Sequence, residues 1–89
     1  MQISEVQIKP TKPRNGLIGF ASLVIGNSLY LSSIGIFTRL KGQGYRITYP
    51  TKKVGNLDMQ IFHPISKELG KEIEKEVIKK AEDIFNEHT

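Results

Sequence analysis

Two adjacent lysines, Lys52 and Lys53, are the residues of this sequence whose type and position best suit chemistry with a ligand. They follow Pro50 and Thr51, and the fixed φ of proline gives the chain a stiff base where a strand ends. Ammonium groups that project from such a base suit contacts with phosphate oxygens. The alternative is a solvated turn, in which lysines are also common, and the spacing alone does not decide between the two.

The charge is divided unevenly along the 89 residues, although the net charge is only +4. Residues 1 to 53 carry eight Lys or Arg and one acid, whereas residues 54 to 89 carry five Lys and eight acids. Such segregation can build a positive potential over one surface, which suits a polyanionic partner. General enrichment of lysine in AT-rich genomes is the competing explanation. Further cations near the pair are Arg39, Lys41 and Arg46.

No constellation for catalysis or metal binding is found in the sequence. Cysteine is absent, which excludes thiol nucleophiles, disulfides and Cys-based metal sites. His63 has only Asp58 as a nearby carboxylate, and a lone His before Pro is typical of a structural corner. Gly42 and Gly44 belong to a hairpin turn and not to a phosphate-binding loop between strand and helix. We therefore expect no enzyme, no cofactor and no small-molecule substrate.

A hairpin with two apolar faces is predicted in the first half of the chain. The apolar runs Leu17 to Ile25 and Leu29 to Phe37 flank a two-residue turn at Gly26-Asn27. Pairing Ile25 with Ser28 across this turn assigns every residue to a face. One face then holds Leu17, Ala21, Leu23, Tyr30, Ile34 and Ile36, and the other holds Ile18, Phe20, Val24, Leu29, Leu31 and Phe37.

Shorter extended segments surround this hairpin. Residues 2 to 9 alternate weakly and predict a first strand that ends at Pro10, followed by a basic loop, because proline cannot donate to a ladder. A turn at residues 41 to 44 leads into a half-buried strand over Tyr45 to Tyr49, which Pro50 ends. Another turn, at Gly55-Asn56, precedes a short extended piece.

One amphipathic helix is predicted over about residues 66 to 87. His63-Pro64 disfavours helix before it, and Ser66 is a suitable N-cap. Its apolar residues recur at spacings of three and four: Leu69, Ile73, Val77, Ala81, Ile84 and Phe85. Lysines also recur every four residues from Lys67 and Lys71 onward, but neighbouring glutamates compensate them, so these two are secondary candidates on a solvated face.

These elements predict an α+β protein, in one domain of residues 1 to 89, with an antiparallel sheet of four to five strands and one C-terminal helix. A single helix covers one face of a small sheet, and a chain of this length buries only a modest core. The two-faced hairpin therefore predicts a homodimer in which the sheets of two chains meet. The first residues lack a signal-peptide pattern and no apolar run has membrane-spanning length, which predicts a cytoplasmic protein.

The order of motifs between Gly42 and Ile65 resembles the stage V sporulation protein G (SpoVG) family. The resemblance is carried by a Gly-rich turn, a strand and Pro50, Thr51, Lys52, Lys53, Gly55, His63, Pro64 and Ile65. It implies a small dimeric regulator that binds DNA, and in some members RNA, in the bacterial cytoplasm. The family's basic pair falls on Lys52 and Lys53, which a dimer presents twice, together with Arg46, Arg39 or Lys41.

Two places depart from the family pattern. The family usually has arginine where this sequence has Lys53, and an Arg-Asp pair where it has Met59-Gln60. Lysine binds phosphate as a point charge without the bidentate fork of arginine, so weak binding directed at the nucleic-acid backbone is predicted.

Two further interpretations remain open from the sequence. The chain could be a non-catalytic protein-interaction module that uses its sheet edge or its helix. Tyr30, Tyr45 and Tyr49 could stack on unpaired bases, although Tyr45 and Tyr49 share a face with Ile47 and are assigned mostly to the core.

Overall fold

Six strands and one helix are seen in the computed structural model, which describes residues 2–39 and 44–85. They are β1 (Ile3–Arg14), β2 (Leu17–Ile25), β3 (Leu29–Thr38), β4 (Tyr45–Thr48), β5 (Thr51–Val54), β6 (Leu57–Gln60) and α1 (Lys67–Phe85). Strands β1 to β4 form an antiparallel sheet in chain order, and β5 and β6 form a separate two-stranded sheet. The predicted α+β class, with one C-terminal helix, is confirmed.

Strand β1 continues past Pro10, where the sequence pattern predicted its end. Pro10 lies opposite Gly19 and the strand runs on to Arg14, so the predicted basic loop is wrong. Because β1 is an edge strand, the N–H that proline lacks need not cost a ladder hydrogen bond. The turn that follows is Asn15-Gly16, with φ angles of 51° and 90°, as a type I′ hairpin requires.

The turn between β2 and β3 holds three residues and not two. Ile25 pairs with Leu29, and the Ser28 N–H donates to the Ile25 carbonyl oxygen at 3.1 Å. The predicted pairing of Ile25 with Ser28 is therefore wrong. Farther along β3, Ser33 has a φ of 63° at a register shift, which is a β-bulge.

These irregularities exchange residues between the faces of the hairpin. Leu31 lies opposite the buried Leu23 and packs on the core, whereas Tyr30 lies opposite Val24 with 66% of its surface exposed. Leu29 lies opposite the buried Ile25, so it is on the same face of the sheet as Leu31. The predicted faces of these three residues are wrong, because a one-residue change of register turns each side chain to the other side of the sheet.

A second register shift, between Leu17 and Gly19, affects the start of β2. Ile18 packs on the core, whereas Leu17 lies opposite Phe37 on the other face, so their predicted faces are also wrong. The remaining apolar residues of the predicted inner face, Ala21, Leu23, Ile34 and Ile36, are all buried as expected.

The core lies between one face of the four-stranded sheet and α1. Ile73, Val77 and Ala81 recur at four-residue intervals along α1 and are buried against the sheet residues Ala21, Leu23, Ile25, Ile34, Ile36 and Tyr45. The rings of Tyr45 and Phe85 lie 6.0 Å apart between centroids. The predicted apolar stripe of the helix is confirmed. We call the sheet surface opposite α1 the outer face.

Helix α1 begins where the sequence predicted. The Leu69 N–H donates to the Ser66 Oγ at 3.1 Å, so Ser66 is the N-cap. Pro64 packs near Gly70 in the first turns of the helix. The predicted end of the helix, at residue 87, lies outside the described residues.

Strand β4 shows the predicted alternation. Tyr45 is buried, Ile47 and Tyr49 pack on the core, and Arg46 is exposed. Of the predicted turn before it, residues 41 to 43 lie outside the described part of the chain. Gly44, with a φ of 114°, accepts a hydrogen bond from the Arg39 N–H at 3.2 Å.

Strands β5 and β6 form a hairpin that we call the arm (residues 51–60). Its two-residue turn is Gly55-Asn56, as predicted, with a φ of 64° at the glycine. The base of the arm is closed by a 2.8 Å hydrogen bond from the Ile61 N–H to the Pro50 carbonyl oxygen, and by an edge-on contact of Tyr49 with Phe62. No helix in the described part of the chain is long and apolar enough to cross a membrane.

Candidate nucleic-acid interface

The two lysines of the basic pair lie on the arm, on opposite faces of its hairpin. In the register of the arm, Lys52 is opposite Met59 and Lys53 is opposite Asp58. Successive side chains of a strand point to opposite faces, so Lys52 and Lys53 project from different sides of the hairpin. The sequence pattern placed both on one chain reversal, whereas they belong to β5.

The face of the arm that carries Lys53 is polar. Its other residues are Thr51, Asp58 and Gln60, all exposed. Asp58 is the residue directly across from Lys53, so an acid and a base share this face of the hairpin.

The face of the arm that carries Lys52 is apolar and exposed. Its other residues are Val54, Leu57 and Met59, which expose 51%, 68% and 53% of their surfaces. The chain that leaves β6 adds two more exposed apolar residues, Ile61 and Ile65. A lysine stem can lie along such a surface while its ammonium group stays in water. Lys52 is thus the cation of an apolar patch.

Arg46 lies on the outer face of the sheet and is held there by an aromatic ring. It pairs with Phe37 across β3 and β4, and its Cζ lies 4.6 Å from the centroid of the Phe37 ring. This distance is within the range of cation–π attraction. The contact orients the guanidinium group at the sheet surface, where its N–H groups can meet an anion.

The outer face carries more cations than the sequence pattern indicated. Lys9 lies opposite Phe20 and Arg14 lies opposite Leu17, so both share the outer face with Arg46. Neither Lys9 nor Arg14 was among the predicted contacts, because the sequence pattern assigned Lys9 to the end of a strand and Arg14 to a loop. The Asn15-Gly16 turn is the signal that reveals their pairing.

The remaining predicted contacts lie elsewhere. Arg39 follows β3 and sits beside Gly44, at the end of β4 opposite to the one from which the arm leaves. Lys41 lies outside the described residues. Lys67 and Lys71 are exposed on α1, on the other side of the sheet from Arg46. Apart from Lys41, the structure therefore divides the predicted set among the arm, the outer face, the end of β3 and the helix.

The distribution of acids explains why the sign of the charge varies across the surface. Within the described residues of β1 to β4, Glu5 is the one acid, at an irregular position with a φ of 51°. The described acids other than Glu5 and Asp58 all lie on α1, where Glu74 and Glu82 share a groove with Lys71. Positive charge thus collects on the outer face, and mixed charge on the helix.

His63 and Tyr49 are two further titratable side chains that the sequence pattern singled out. No group of three His, Asp or Glu side chains within residues 2–39 and 44–85 could hold a metal ion. His63 is exposed at the predicted corner, beside an apolar groove formed with Leu29 and Leu69. Burial raises the pKa of the Tyr49 phenol above its usual 10.0, and the negative charge of Glu74 adds to this.

Comparison with known families gives a match over most of the chain. A family model described as SpoVG matches residues 1–83, a range that includes every strand described above and most of α1. No curated protein and no solved structure gives a significant match to the chain.

Proposed function

Because this chain belongs to the SpoVG family, as the motifs of residues 42 to 65 predicted, we propose that it regulates by binding DNA, and also RNA, as a cytoplasmic homodimer. The proposed contacts are mainly with phosphate groups, from Lys52 and Lys53 on the arm and from Arg46 on the outer face. Arg39 and Lys41, which lie between β3 and β4 in the sequence, are proposed as further contacts, and Lys67 and Lys71 as secondary ones.

The observation that carries this proposal is the separation of charge by the fold. Lys9, Arg14 and Arg46 share the outer face, whereas most acids lie on α1 across the sheet. A surface of one sign attracts a polyanion and raises its rate of association. Phosphate contacts of this kind position a nucleic acid without reading its sequence.

The two lysines of the arm are proposed to contribute unequally. Lys53 lies opposite Asp58, so its charge is partly offset before any phosphate arrives, whereas Lys52 has apolar neighbours. Removal of the carboxylate by Asp58→Asn should therefore strengthen binding in low salt. Lys52→Ala should weaken binding more than Lys53→Ala does.

A binding assay with duplex DNA, single-stranded DNA and RNA in low salt tests these contacts. The matched control for Asp58→Asn is Glu72→Gln, which removes one exposed negative charge from α1. Equal strengthening by both variants would show that net charge alone matters and would contradict a site on the arm. If the wild-type protein binds none of the three nucleic acids, the proposed function is wrong.

The homodimer is proposed to form through the apolar face of the arm. A two-stranded hairpin of this length is marginally stable by itself, and β5 and β6 pair only with each other among the described strands. Val54, Leu57 and Met59 are covered if a second copy packs on them, while the stem of Lys52 lies along the edge of this interface with its ammonium group in water. The sequence pattern predicted that both faces of the β2–β3 hairpin are apolar and must be buried. The outer face also carries serines between its aromatic residues, so it is less apolar than that pattern suggested.

Analytical ultracentrifugation tests the proposed dimer. The wild type should sediment at twice the 10.0 kDa of one chain, and Leu57→Ser with Met59→Ser should shift it toward monomer. Thr51→Ala with Gln60→Ala, on the polar face of the same arm, is the matched control and should leave the dimer intact. A stable wild-type monomer would overturn the dimer. If that monomer also bound no nucleic acid, the alternative of a protein-interaction module would be favoured.

A further inference from the structure

We propose that the outer face of the sheet is a stacking platform for unpaired nucleobases, built on Phe20 and Tyr30. In this arrangement Lys9 and Arg46 meet the phosphates that flank the stacked bases. The inference rests on the proposed function and makes it more specific, because it names single-stranded nucleic acid as the partner of this surface.

The platform is an open depression of about 550 Å³ in the outer face. Phe20 and Tyr30 line it as the two aromatic residues, and Ser22, Ser32 and Ser33 lie between them. Phe20 exposes 39% of its surface and Tyr30 exposes 66%. Aromatic rings supply area for stacking, and the hydroxyl groups of the serines can hydrogen-bond the edges of bases.

The exposure of Tyr30 has a specific structural origin. The three-residue turn after Ile25 and the bulge at Ser33 set the register that brings Tyr30 opposite Val24, away from the core. With the two-residue turn that the sequence pattern predicts, Tyr30 would face the helix. The local irregularities of β3 thus present a large aromatic ring on a polar, basic surface.

Phe20 lies across from a residue that has no side chain, and 39% of its surface is exposed. The residue across from it on β3 is Gly35, which has no side chain to cover the ring. The site of a Cβ on Gly35 is already occupied, since it would lie 2.7 Å from the Thr48 Oγ1 and 3.2 Å from the Phe37 ring. The ring of Phe37 is covered by the guanidinium group of Arg46, so it is not available for stacking. It instead positions that guanidinium group, which can contact a phosphate.

Charge complementarity identifies the occupant as a polyanion. Lys9 lines the depression beside Phe20, and Arg46 lies on the same face. A second copy of the chain that docked this face on its own equivalent would bring like charges together. A DNA duplex keeps its bases stacked on each other, so an aromatic platform gains little from it, whereas unpaired bases can transfer their stacking to the protein.

The test compares binding of a single-stranded oligonucleotide with binding of a duplex of equal length. Tyr30→Ala should weaken single-strand binding roughly tenfold, the usual effect of losing one stacked base, and leave duplex binding unchanged. Tyr30→Phe should retain the affinity, because it keeps the ring. Leu29→Ala removes an exposed apolar side chain from the opposite face and should have no effect.

A second readout places a fluorescent ring at the same position. The chain has no tryptophan, so a Tyr30→Trp variant reports on this site alone, and single-stranded DNA should quench its fluorescence more strongly than duplex DNA does. Sedimentation of each variant shows whether the oligomeric state has changed.

The outcomes separate this inference from the proposed function. Unchanged single-strand affinity in Tyr30→Ala would overturn the platform, and the proposed function would stand if Lys52→Ala still weakened binding. Dissociation of the oligomer by Tyr30→Ala would assign the outer face to self-association and would also overturn the platform. Failure of the wild type to bind any nucleic acid would remove the proposed function and the platform together.

Discussion

Lysine at both positions of the basic pair affects what kind of contact the arm can make. An ammonium group is a compact point charge, whereas a guanidinium group presents a planar fork that matches phosphate or guanine. Neither Lys52 nor Lys53 can supply that fork, so the arm can contact phosphate only through point charges. We therefore expect binding that depends strongly on salt and weakly on base sequence.

The register of the arm could have been predicted from the sequence, but the division of the basic pair was not drawn from it. The turn at Gly55-Asn56 was predicted, and a two-residue turn fixes Lys53 opposite Asp58. The sequence pattern assigned Lys52 and Lys53 to a chain reversal after Pro50, where the two side chains would not alternate between faces. Pro50 does end β4, but the chain resumes extended structure directly after it.

The raised pKa of Tyr49 predicts that the free energy of unfolding depends measurably on pH in the alkaline range. Its pKa is raised, first by burial and then by Glu74, so the native state holds the phenol proton more tightly than the unfolded chain. This contribution to stability is complete below pH 10.0 and is lost as the pH rises through the folded pKa. The Tyr49→Phe variant keeps the ring against Phe62 and removes the titrating group.

Urea unfolding of wild type and Tyr49→Phe at several pH values checks this expectation. The free energy of unfolding of the wild type should fall as the pH rises above 10.0, and the fall should be smaller in Tyr49→Phe, which lacks the phenol. Parallel curves for the two proteins would show that the Tyr49 phenol is not coupled to folding.

At the scale of the elements, Gly19 permits β1, β2 and α1 to approach one another. A Cβ at this position would lie 3.0 Å from the Lys9 carbonyl oxygen and 3.4 Å from the Phe85 Cζ. The carbonyl belongs to the backbone of the paired strand, so it cannot move without disturbing the pairing. We expect Gly19→Ala to lower the free energy of unfolding by about 1–3 kcal/mol.

The matched control for this substitution is Gly70→Ala on α1. Its Cβ would make an ordinary contact of 3.4 Å with the Pro64 Cγ, and alanine is favoured over glycine in a helix by about 0.5–1 kcal/mol. Thermal unfolding should therefore show changes of opposite sign for the two variants. A Gly19→Ala protein as stable as the wild type would contradict the close approach of β1 to β2.

The elements differ in how well their sequence pattern predicted them. Helix α1 and strand β4 were predicted closely, because their apolar periodicity is strong and their N-terminal signals are local. The extension of β1 past Pro10 was not, because proline is tolerated only where a strand lies at a sheet edge, and strand order is not visible in a local pattern. The bulge at Ser33 likewise leaves no local signature, yet it decides the face of Tyr30.

At the scale of the whole molecule, the sheet separates two chemical surfaces. One surface carries the cations of β1 and β4 with exposed aromatic residues, and the other carries α1 with its mixed charges. The uneven charge of the sequence predicted the existence of a basic region but not its location. Strand register and the side of the sheet taken by the helix determine that location, and both arise from tertiary packing.

The proposed dimer doubles each basic group, so its effect is expected in the salt dependence of binding. Two arms present four lysines of the basic pair, and each phosphate contact adds roughly −0.9 to the slope of log K against log salt concentration. If all four lysines contact phosphate, the two arms together contribute about 3 to 4 units to the slope.

The salt dependence of DNA binding, measured for the wild type and for the Lys52→Ala, Lys53→Ala double variant, tests the central claim most directly. We predict that the wild-type affinity falls linearly on the log–log plot, and that the double variant binds more weakly with a slope shallower by about 2 to 4 units. Lys67→Ala with Lys71→Ala, which removes as many charges from α1, should change the slope less. A double variant of the arm that keeps the full wild-type slope would contradict the proposed site.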